Sequence, residues 1–238
     1  MKKLIITLVL LTACCLAPSG GVAQTDISKA FECETKVPAA QWTASLGKVQ
    51  SAYKGLKSFT GEFVQDSYLA ALDLSEQSQG NVWFGSNGKM RWHYSAPEEQ
   101  TFVIREHTLW LYQPVDQQII LEDFSQFVLS DLPLAFLMGL GDLTKDFSVG
   151  DCCLNKDSYI FSMAPKKSDL PAREEGIQRF KLLVSKKDFL PRGAQVQDLS
   201  GNINSVTFLQ PVFNQPVNAK LFEFEYPEGV DVSDQRGD

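Results

Sequence analysis

The residues best suited to acid–base or nucleophilic chemistry are few in this sequence and lie far apart. There are two histidines, His93 and His107. His93 alternates with the bulky Trp92 and Tyr94 and His107 falls at a turn, so we expect both at the surface. The carboxylates are spread through turns, and no nucleophile motif, phosphate-binding loop or metal-ligand spacing is present. We therefore predict that the protein is not an enzyme and has neither a metal site nor a cofactor.

Cysteine is the other residue type that could do chemistry. Cys33, Cys152 and Cys153 follow the N-terminal segment. In an oxidising compartment the expected disulfide joins Cys33 to one of the adjacent pair, which leaves one free thiol. Adjacent cysteines bridge each other only with strain, and no histidine is near them in sequence, so a metal site is disfavoured. Which of the two neighbours pairs with Cys33 stays open.

The first 23 residues have the pattern of a secretory signal: two lysines, an apolar run, then small residues and turn formers. The apolar run has about 14 residues, fewer than the roughly 20 that cross a bilayer. Gly21-Val22-Ala23 suits an ordinary signal peptidase, whereas Leu11-Thr12-Ala13-Cys14 resembles a bacterial lipobox. The first cut predicts a soluble periplasmic protein comprising one domain, residues 24–238. Lipidation at Cys14 predicts the same domain anchored to the outer membrane.

Charge limits the partners of this chain. The formal net charge is −7, with 22 basic and 29 acidic residues. Lys2 and Lys3 are the only charged residues in the signal, so residues 24–238 carry a net charge of −9. An acidic surface argues against binding to nucleic acid or to anionic membranes.

Hydrophobic periodicity predicts the elements that position these residues. Trp42, Leu46, Val49 and Tyr53 recur at helical spacing, and from Phe59 onward the period changes to two. About ten or eleven short strands follow, with a hairpin turn at Asn87-Gly88. Strands are predicted at residues 80–86, 89–94, 101–105, 108–113, 118–121, 158–164, 178–185, 190–198, 203–209 and 221–226. The predicted fold is mainly β, an incomplete antiparallel β-barrel with an N-terminal helix.

One apolar segment interrupts this rhythm at residues 124–143, FSQFVLSDLPLAFLMGLGDL. It is too long for a hairpin and too apolar for a solvated loop, so we predict two short helices broken near Pro133. Either the bulky sheet residues form an ordinary core, or they line an apolar cavity that this segment covers as a lid. The candidate cavity residues are Phe63, Val82, Phe84, Met90, Trp92, Tyr94, Phe102, Ile104, Leu109 and Leu111. The candidate lid residues are Phe127, Leu134, Phe136, Leu137, Met138 and Leu140.

Several motifs in fixed order resemble the LolA family of lipoprotein carriers. The run GNVWFGSNGKMRWHYSAPEEQTFVIREHTLWLY at residues 80–112 is similar to the family's tryptophan strand, turn, R/N-W-x-Y/M strand, proline turn and L-W-x-Y strand. The strand SFTGEFVQ, the Leu132-Pro133-Leu134 stretch and the tail FEFEYPEGVDVSDQR match in the same order. The resemblance covers nearly the whole chain after residue 23.

The resemblance implies a monomeric periplasmic chaperone that shelters the acyl chains of lipoproteins. Such a carrier receives lipoproteins from an inner-membrane ABC exporter and passes them to an outer-membrane receptor. It assigns Met90 and Trp92 to the mouth of the cavity and residues 136–138 to the lid. The arginine that closes the lid in the family is replaced here by Ser86, and Arg91 or Arg105 could substitute for it.

Three other functions remain open at this level. The same fold anchored through Cys14 would act as an outer-membrane lipoprotein receptor. A curved apolar sheet could also serve a generic periplasmic binder of hydrophobic ligands. A hydrolase acting on lipid or cell-wall material is the third, and the sequence offers no catalytic set for it.

Overall fold

The computed structural model describes residues 25–124, 143–166 and 177–236. The predicted signal segment and all six candidate lid residues lie outside these ranges. Within them, helix α1 spans Ala39–Lys54, a helical turn spans Leu143–Asp146, and 3-10 turns span Ser28–Phe31 and Ala219–Phe222. No helix in these ranges combines the length and the apolar character that crossing a bilayer requires.

The described residues contain 13 strands in one sheet. The strands are β1 Thr35–Lys36, β2 Phe59–Leu69, β3 Leu74–Phe84, β4 Met90–Ala96, β5 Gln100–Arg105, β6 Thr108–Gln113, β7 Gln118–Asp123, β8 Phe147–Asn155, β9 Ser158–Pro165, β10 Ile177–Ser185, β11 Pro191–Asp198, β12 Ile203–Phe213 and β13 Asp231–Asp234.

The sheet is open. Its order is β1-β8-β9-β10-β11-β12-β2-β3-β4-β5-β6-β7-β13, and neighbours are antiparallel except β13, which runs parallel to β7. The edge strands β1 and β13 are not paired with each other. Residues from both halves of the sheet nevertheless share one buried cluster with α1, so the sheet curls around a common interior. The predicted incomplete antiparallel barrel is confirmed.

The predicted helix and the predicted hairpin turn are also confirmed. Leu46, Val49 and Tyr53 of α1 are buried against the inner face of the sheet. Asn87 and Gly88, between β3 and β4, both have positive φ, 63° and 69°. Asparagine and glycine tolerate this backbone conformation better than other residues do, which is why the dipeptide identified the turn.

The predicted strand at residues 221–226 is wrong. The chain forms a 3-10 turn there, Ala219–Phe222, and the Asn218 side chain accepts a hydrogen bond from the N–H of Lys220 at its start. Phe222 packs over Gly85, where a Cβ atom would lie 2.9 Å from the Phe222 ring. A tertiary contact therefore overrides the alternating pattern of this stretch. The strand that pairs with β7 is β13, which comes later in the chain.

Gly80 lies at the register shift between β3 and β4. A Cβ atom there would lie 1.9 Å from the carbonyl oxygen of His93. We expect Gly80→Ala to reduce the free energy of unfolding by about 1–3 kcal/mol, because the backbone of β4 must move away. Chemical denaturation measures this change. Gly47→Ala is the control, since nothing lies within 4 Å of a Cβ added on α1; equal effects of the two variants would contradict the prediction.

Candidate functional site

The register of β2–β7 arranges their inner side chains in three rows. The first row is Phe59, Phe84, Met90, Ile104, Leu109 and Glu122. The second row is Gly61, Val82, Trp92, Phe102, Leu111 and Ile120. The third row is Phe63, Gly80, Tyr94, Gln100, Gln113 and Gln118. The second row is wholly apolar, whereas the first ends in a carboxyl group and the third becomes polar toward β7.

All ten candidate cavity residues lie in these rows and belong to one buried cluster. None is more than 8% exposed. The sequence pattern could bring them together because alternate residues of a strand point to the same face. Their role in holding acyl chains stays a prediction.

Trp92 is at the centre of the aromatic part of this cluster. Its ring centroid lies 4.6 Å from that of Phe63, 6.3 Å from Phe84 and 6.1 Å from Phe208. Phe208 comes from β12, which pairs with β2, so aromatic contacts continue across the junction of the two halves of the sheet. The inner face around Trp92 is therefore continuous hydrocarbon and aromatic surface.

Sequence reasoning missed the half of the interior formed by β8–β12. The inner residues there include Phe147, Phe161, Met163, Phe180, Leu182, Val184, Val206 and Phe208. The alternation of Phe180, Leu182 and Val184 was a usable signal for β10. Strand β8 was not predicted, because FSVGDCCLN contains few apolar residues at period two. Helix α1 covers the same face, so a ligand must displace side chains that now contact one another.

The third row carries buried hydrogen-bonding groups. The Tyr94 hydroxyl donates to Oε1 of Gln65 at 2.8 Å, and both side chains are buried. Burial raises the pKa of Tyr94, so this phenol stays protonated and able to donate. This end of the interior is polar, and the buried Tyr94 and Gln65 side chains there form a hydrogen bond with each other.

Glu122 places a carboxyl group on the inner face, where Trp92 Nε1 is also buried without a hydrogen-bond partner, and sequence reasoning missed Glu122. It pairs across the sheet with Leu109 and is only 7% exposed. Its Oε1 atom has no hydrogen-bond partner. Burial raises the pKa of this carboxyl. Ile119, Ile120 and Leu121 are all apolar, so β7 does not alternate and its pattern does not reveal which face Glu122 is on.

Both flanks of residues 125–142 are tied to the barrel. The N–H of Phe124 donates to the carbonyl oxygen of His107 at 2.7 Å. The N–H of Leu143 donates to Oε1 of Gln50, a buried side chain of α1, at 2.8 Å. The segment predicted as a lid therefore starts and ends at buried positions, Phe124 and Leu143, that belong to the interior cluster.

Arg91 does not lie on the inner face. It alternates with Met90 and Trp92, and its Nη1 donates to the carbonyl oxygen of Leu221 at 3.3 Å, across the outer face. Partial burial lowers its pKa. Arg105 alternates with the inward Ile104 in the same way. Whether either arginine replaces the one that the family resemblance places at Ser86 stays a prediction, because the candidate lid residues lie outside the described ranges.

A disulfide joins Cys33 to Cys153, with 5.3 Å between the Cα atoms. Cys153 packs with Phe31 on the outer face, whereas Cys152 is a free buried cysteine in the interior cluster. Adjacent residues of a strand point to opposite faces, so only one of the two can meet the N-terminal segment. Burial raises the pKa of the Cys152 thiol to about 12, which keeps it protonated and unreactive.

The two histidines are not placed for catalysis. His93 is partly buried on the outer face, and its Nδ1 is 2.9 Å from the Thr101 hydroxyl. His107 is exposed at the turn between β5 and β6. Within the described ranges, no three His, Cys, Asp or Glu side chains are grouped closely enough to hold a metal ion.

Comparisons with known proteins agree with this architecture. The family model described as outer membrane lipoprotein carrier protein LolA matches residues 54–225. The outer-membrane lipoprotein carrier protein of Cupriavidus pinatubonensis is 29% identical over 195 residues, covering 81% of this chain and 88% of that one. The protein of the same name from Legionella pneumophila is 29% identical over 188 residues, covering 79% and 88%. A crystal structure of an uncharacterized conserved protein from Thermus thermophilus shares the fold, with a TM-score of 0.51 and 13% identity over 81% of this chain and 98% of that chain.

Proposed function

Because this chain belongs to the LolA family of outer membrane lipoprotein carrier proteins, we propose that it binds the acyl chains of lipoproteins on the inner face of its open barrel. The single observation that carries the proposal is the buried cluster of ten large apolar side chains drawn from β2–β6. A helix and a sheet of this size need a hydrophobic core. In a lipid carrier, the side chains of that core must also be able to move apart so that acyl chains can enter. The open edge of the sheet supplies the freedom to separate.

Binding in this proposal is an exchange of apolar contacts. Burial of each methylene group is worth about 0.8 kcal/mol, so several partly buried acyl chains contribute a large gross free energy without a hydrogen bond. The chains replace contacts that the inner side chains make with each other and with α1, so the net change is small. A small net change allows both capture and release, and neither step needs nucleotide hydrolysis in this chain. Unbranched Met90 suits the site because a thioether adapts to irregular hydrocarbon.

The proposed route runs through the periplasm. The protein comprises residues 24–238 after removal of the signal, takes lipoproteins from the inner-membrane ABC exporter and delivers them, as a monomer, to the outer-membrane receptor. The exporter and the receptor give the transfer its direction, because a near-balanced exchange has none of its own. In this proposal the segment at about residues 124–143 covers the site as a lid. No bond of the lipoprotein is made or broken.

The alternative is a receptor of the same fold, anchored through Cys14. The lipobox-like Leu11-Thr12-Ala13-Cys14 favours it. Mass spectrometry of the N-terminus of the exported protein separates the two. A chain that begins at Gln24 supports the carrier, whereas a diacylated Cys14 would make it a receptor.

Release of lipoprotein from membranes tests the carrier proposal. The purified protein is incubated with spheroplasts that contain newly made lipoprotein, and the supernatant is fractionated by size. We expect lipoprotein in solution, in one complex with this protein. Lipoprotein that remains in the membrane would contradict the proposal. Recovery of the protein with phospholipid or fatty acid alone would instead make it a general binder of hydrophobic ligands.

A further inference from the structure

Glu122 is a buried polar residue with an unpartnered carboxyl oxygen on an otherwise apolar part of the inner face. It ends the first row, which is otherwise apolar, and its neighbours on the inner face are Leu109 across the sheet and Ile120 and Phe124 along β7. It is only 7% exposed. Its Oε1 atom makes no hydrogen bond. The carboxyl therefore presents a free acceptor atom to the apolar interior.

Nothing in the part of the chain that the structure describes gives this carboxyl group a structural role. The ion pairs found in the described residues are Arg192 with Asp188 and Arg236 with Asp234, and neither includes Glu122. Burying a carboxyl without a partner is unfavourable, and buried polar groups in proteins nearly always have one. An apolar residue in this position would stabilise the empty protein. The missing partner is therefore expected to come from a ligand.

Glu122 lies next to the proposed acyl-chain surface and close to the start of the segment predicted as a lid. It shares the first row with Met90 and Ile104, and it lies two residues before Phe124, where the segment predicted as a lid begins. If the acyl chains of a ligand lie along the rows, the polar head to which they are attached lies at the margin of the apolar surface. Glu122 is at such a margin.

The apolar rows by themselves cannot separate lipoproteins from phospholipids, because both carry the same kind of acyl chain. Their heads differ in hydrogen-bonding character. An acylated peptide N-terminus has an N–H at the residue that bears the chains, whereas the head group of phosphatidylcholine has no N–H or O–H to donate. A carboxyl oxygen that accepts a hydrogen bond therefore favours the first head.

We propose that Glu122 accepts a hydrogen bond from the N–H of the acylated N-terminal residue and so selects acylated peptides over phosphatidylcholine with the same chains. This inference rests on the proposed function, since it places the lipid chains on the inner rows. Glu122 is then a specificity-determining residue, and the chains supply most of the affinity.

A synthetic lipopeptide tests the proposal without changing the protein. Its N-terminal cysteine carries two ester-linked palmitoyl chains and one amide-linked palmitoyl chain, and its affinity is measured by intrinsic tryptophan fluorescence in a fixed detergent. The matched probe carries a methyl group on the amide nitrogen and has no N–H there. We expect the wild-type protein to bind the methylated probe about three- to tenfold more weakly, as loss of one hydrogen bond predicts. Equal affinities would overturn the proposal.

Two variants give the reciprocal test. Glu122→Met removes the acceptor at similar size. We expect it to bind the lipopeptide about three- to tenfold more weakly and dipalmitoyl phosphatidylcholine unchanged. It should also unfold at the same or a higher temperature, since it removes an unpartnered buried carboxyl. Leu109→Met is the control, because it alters the neighbouring side chain in the first row and leaves the acceptor in place.

The outcomes separate this proposal from the function on which it rests. Lipopeptide affinity that is equal in Glu122→Met and wild type would overturn the role of Glu122 and leave the carrier standing. Equal losses for lipopeptide and phosphatidylcholine would also overturn it, because Glu122 would then act only through packing. A wild-type protein that binds no lipopeptide at all would remove the carrier proposal itself.

Discussion

Trp92→Asp is expected to abolish capture of lipoprotein in the spheroplast assay. Trp92 lies in the second row, 8% exposed, with aromatic rings from β2, β3 and β12 around it. A carboxylate there would be buried among hydrocarbon, at a cost of several kcal/mol, unless water enters and hydrates the surface that acyl chains must occupy. Either outcome removes the apolar contact, so we expect no soluble complex.

The control for this variant is Trp110→Asp. Trp110 is a tryptophan of the same sheet on the outer face, where its Nε1 donates to the Tyr226 hydroxyl at 2.9 Å. We expect this variant to retain capture. Met90→Gln, which keeps the side-chain length, guards against simple unfolding and should weaken capture at least about tenfold. If a folded Met90→Gln or Trp92→Asp protein releases lipoprotein as well as wild type does, the inner rows are not the acyl-chain site.

Loss of the disulfide is the second large effect. Cys33→Ser is expected to reduce the free energy of unfolding by about 2–5 kcal/mol, because the bridge closes a loop between residues 120 apart in sequence and so restricts the unfolded chain. It also frees the first described strand, β1, whose pairing with β8 involves Cys153 itself. Urea unfolding with and without reductant measures the difference.

Reductant supplies the internal control for the disulfide. Wild type should lose the same stability when reduced, and Cys33→Ser should lose nothing further. Cys152→Ala keeps the bridge, so its stability should respond to reductant as that of wild type does. A wild-type protein whose stability does not change on reduction would contradict the prediction.

The sequence predicted the β2–β7 half of the molecule well. Period-two alternation marked Met90, Trp92 and Tyr94 as one face, and Asn87-Gly88 marked the turn that sets their register. It failed where tertiary contacts override local pattern. Phe222 docks on Gly85 and holds its segment in a 3-10 turn, although the residues around it alternate as a strand would.

For the candidate site too, some residues could be identified from local sequence pattern and others only from tertiary contacts. The ten candidate cavity residues were identifiable because each belongs to a strongly alternating strand. The inner residues of β8–β12 and α1 complete the same surface, but the strand pairing that joins the halves, β2 with β12, links residues such as Phe63 and Phe208 that are far apart in sequence. Glu122 was overlooked because a lone glutamate near a strand end looks like a surface residue until its neighbours are known.

Sequence alone determined the fold class, the position of the first helix and the sharing of faces within each strand, because helix and strand periodicities are local properties of the backbone. Only the tertiary structure decided which face is the interior in strands that do not alternate, such as β7, and which distant strands pair. It showed that Cys153 and not Cys152 meets Cys33, that Arg91 points outward and that Glu122 points inward. Alternation divides a strand into two faces, and contacts with distant segments determine which of them is covered.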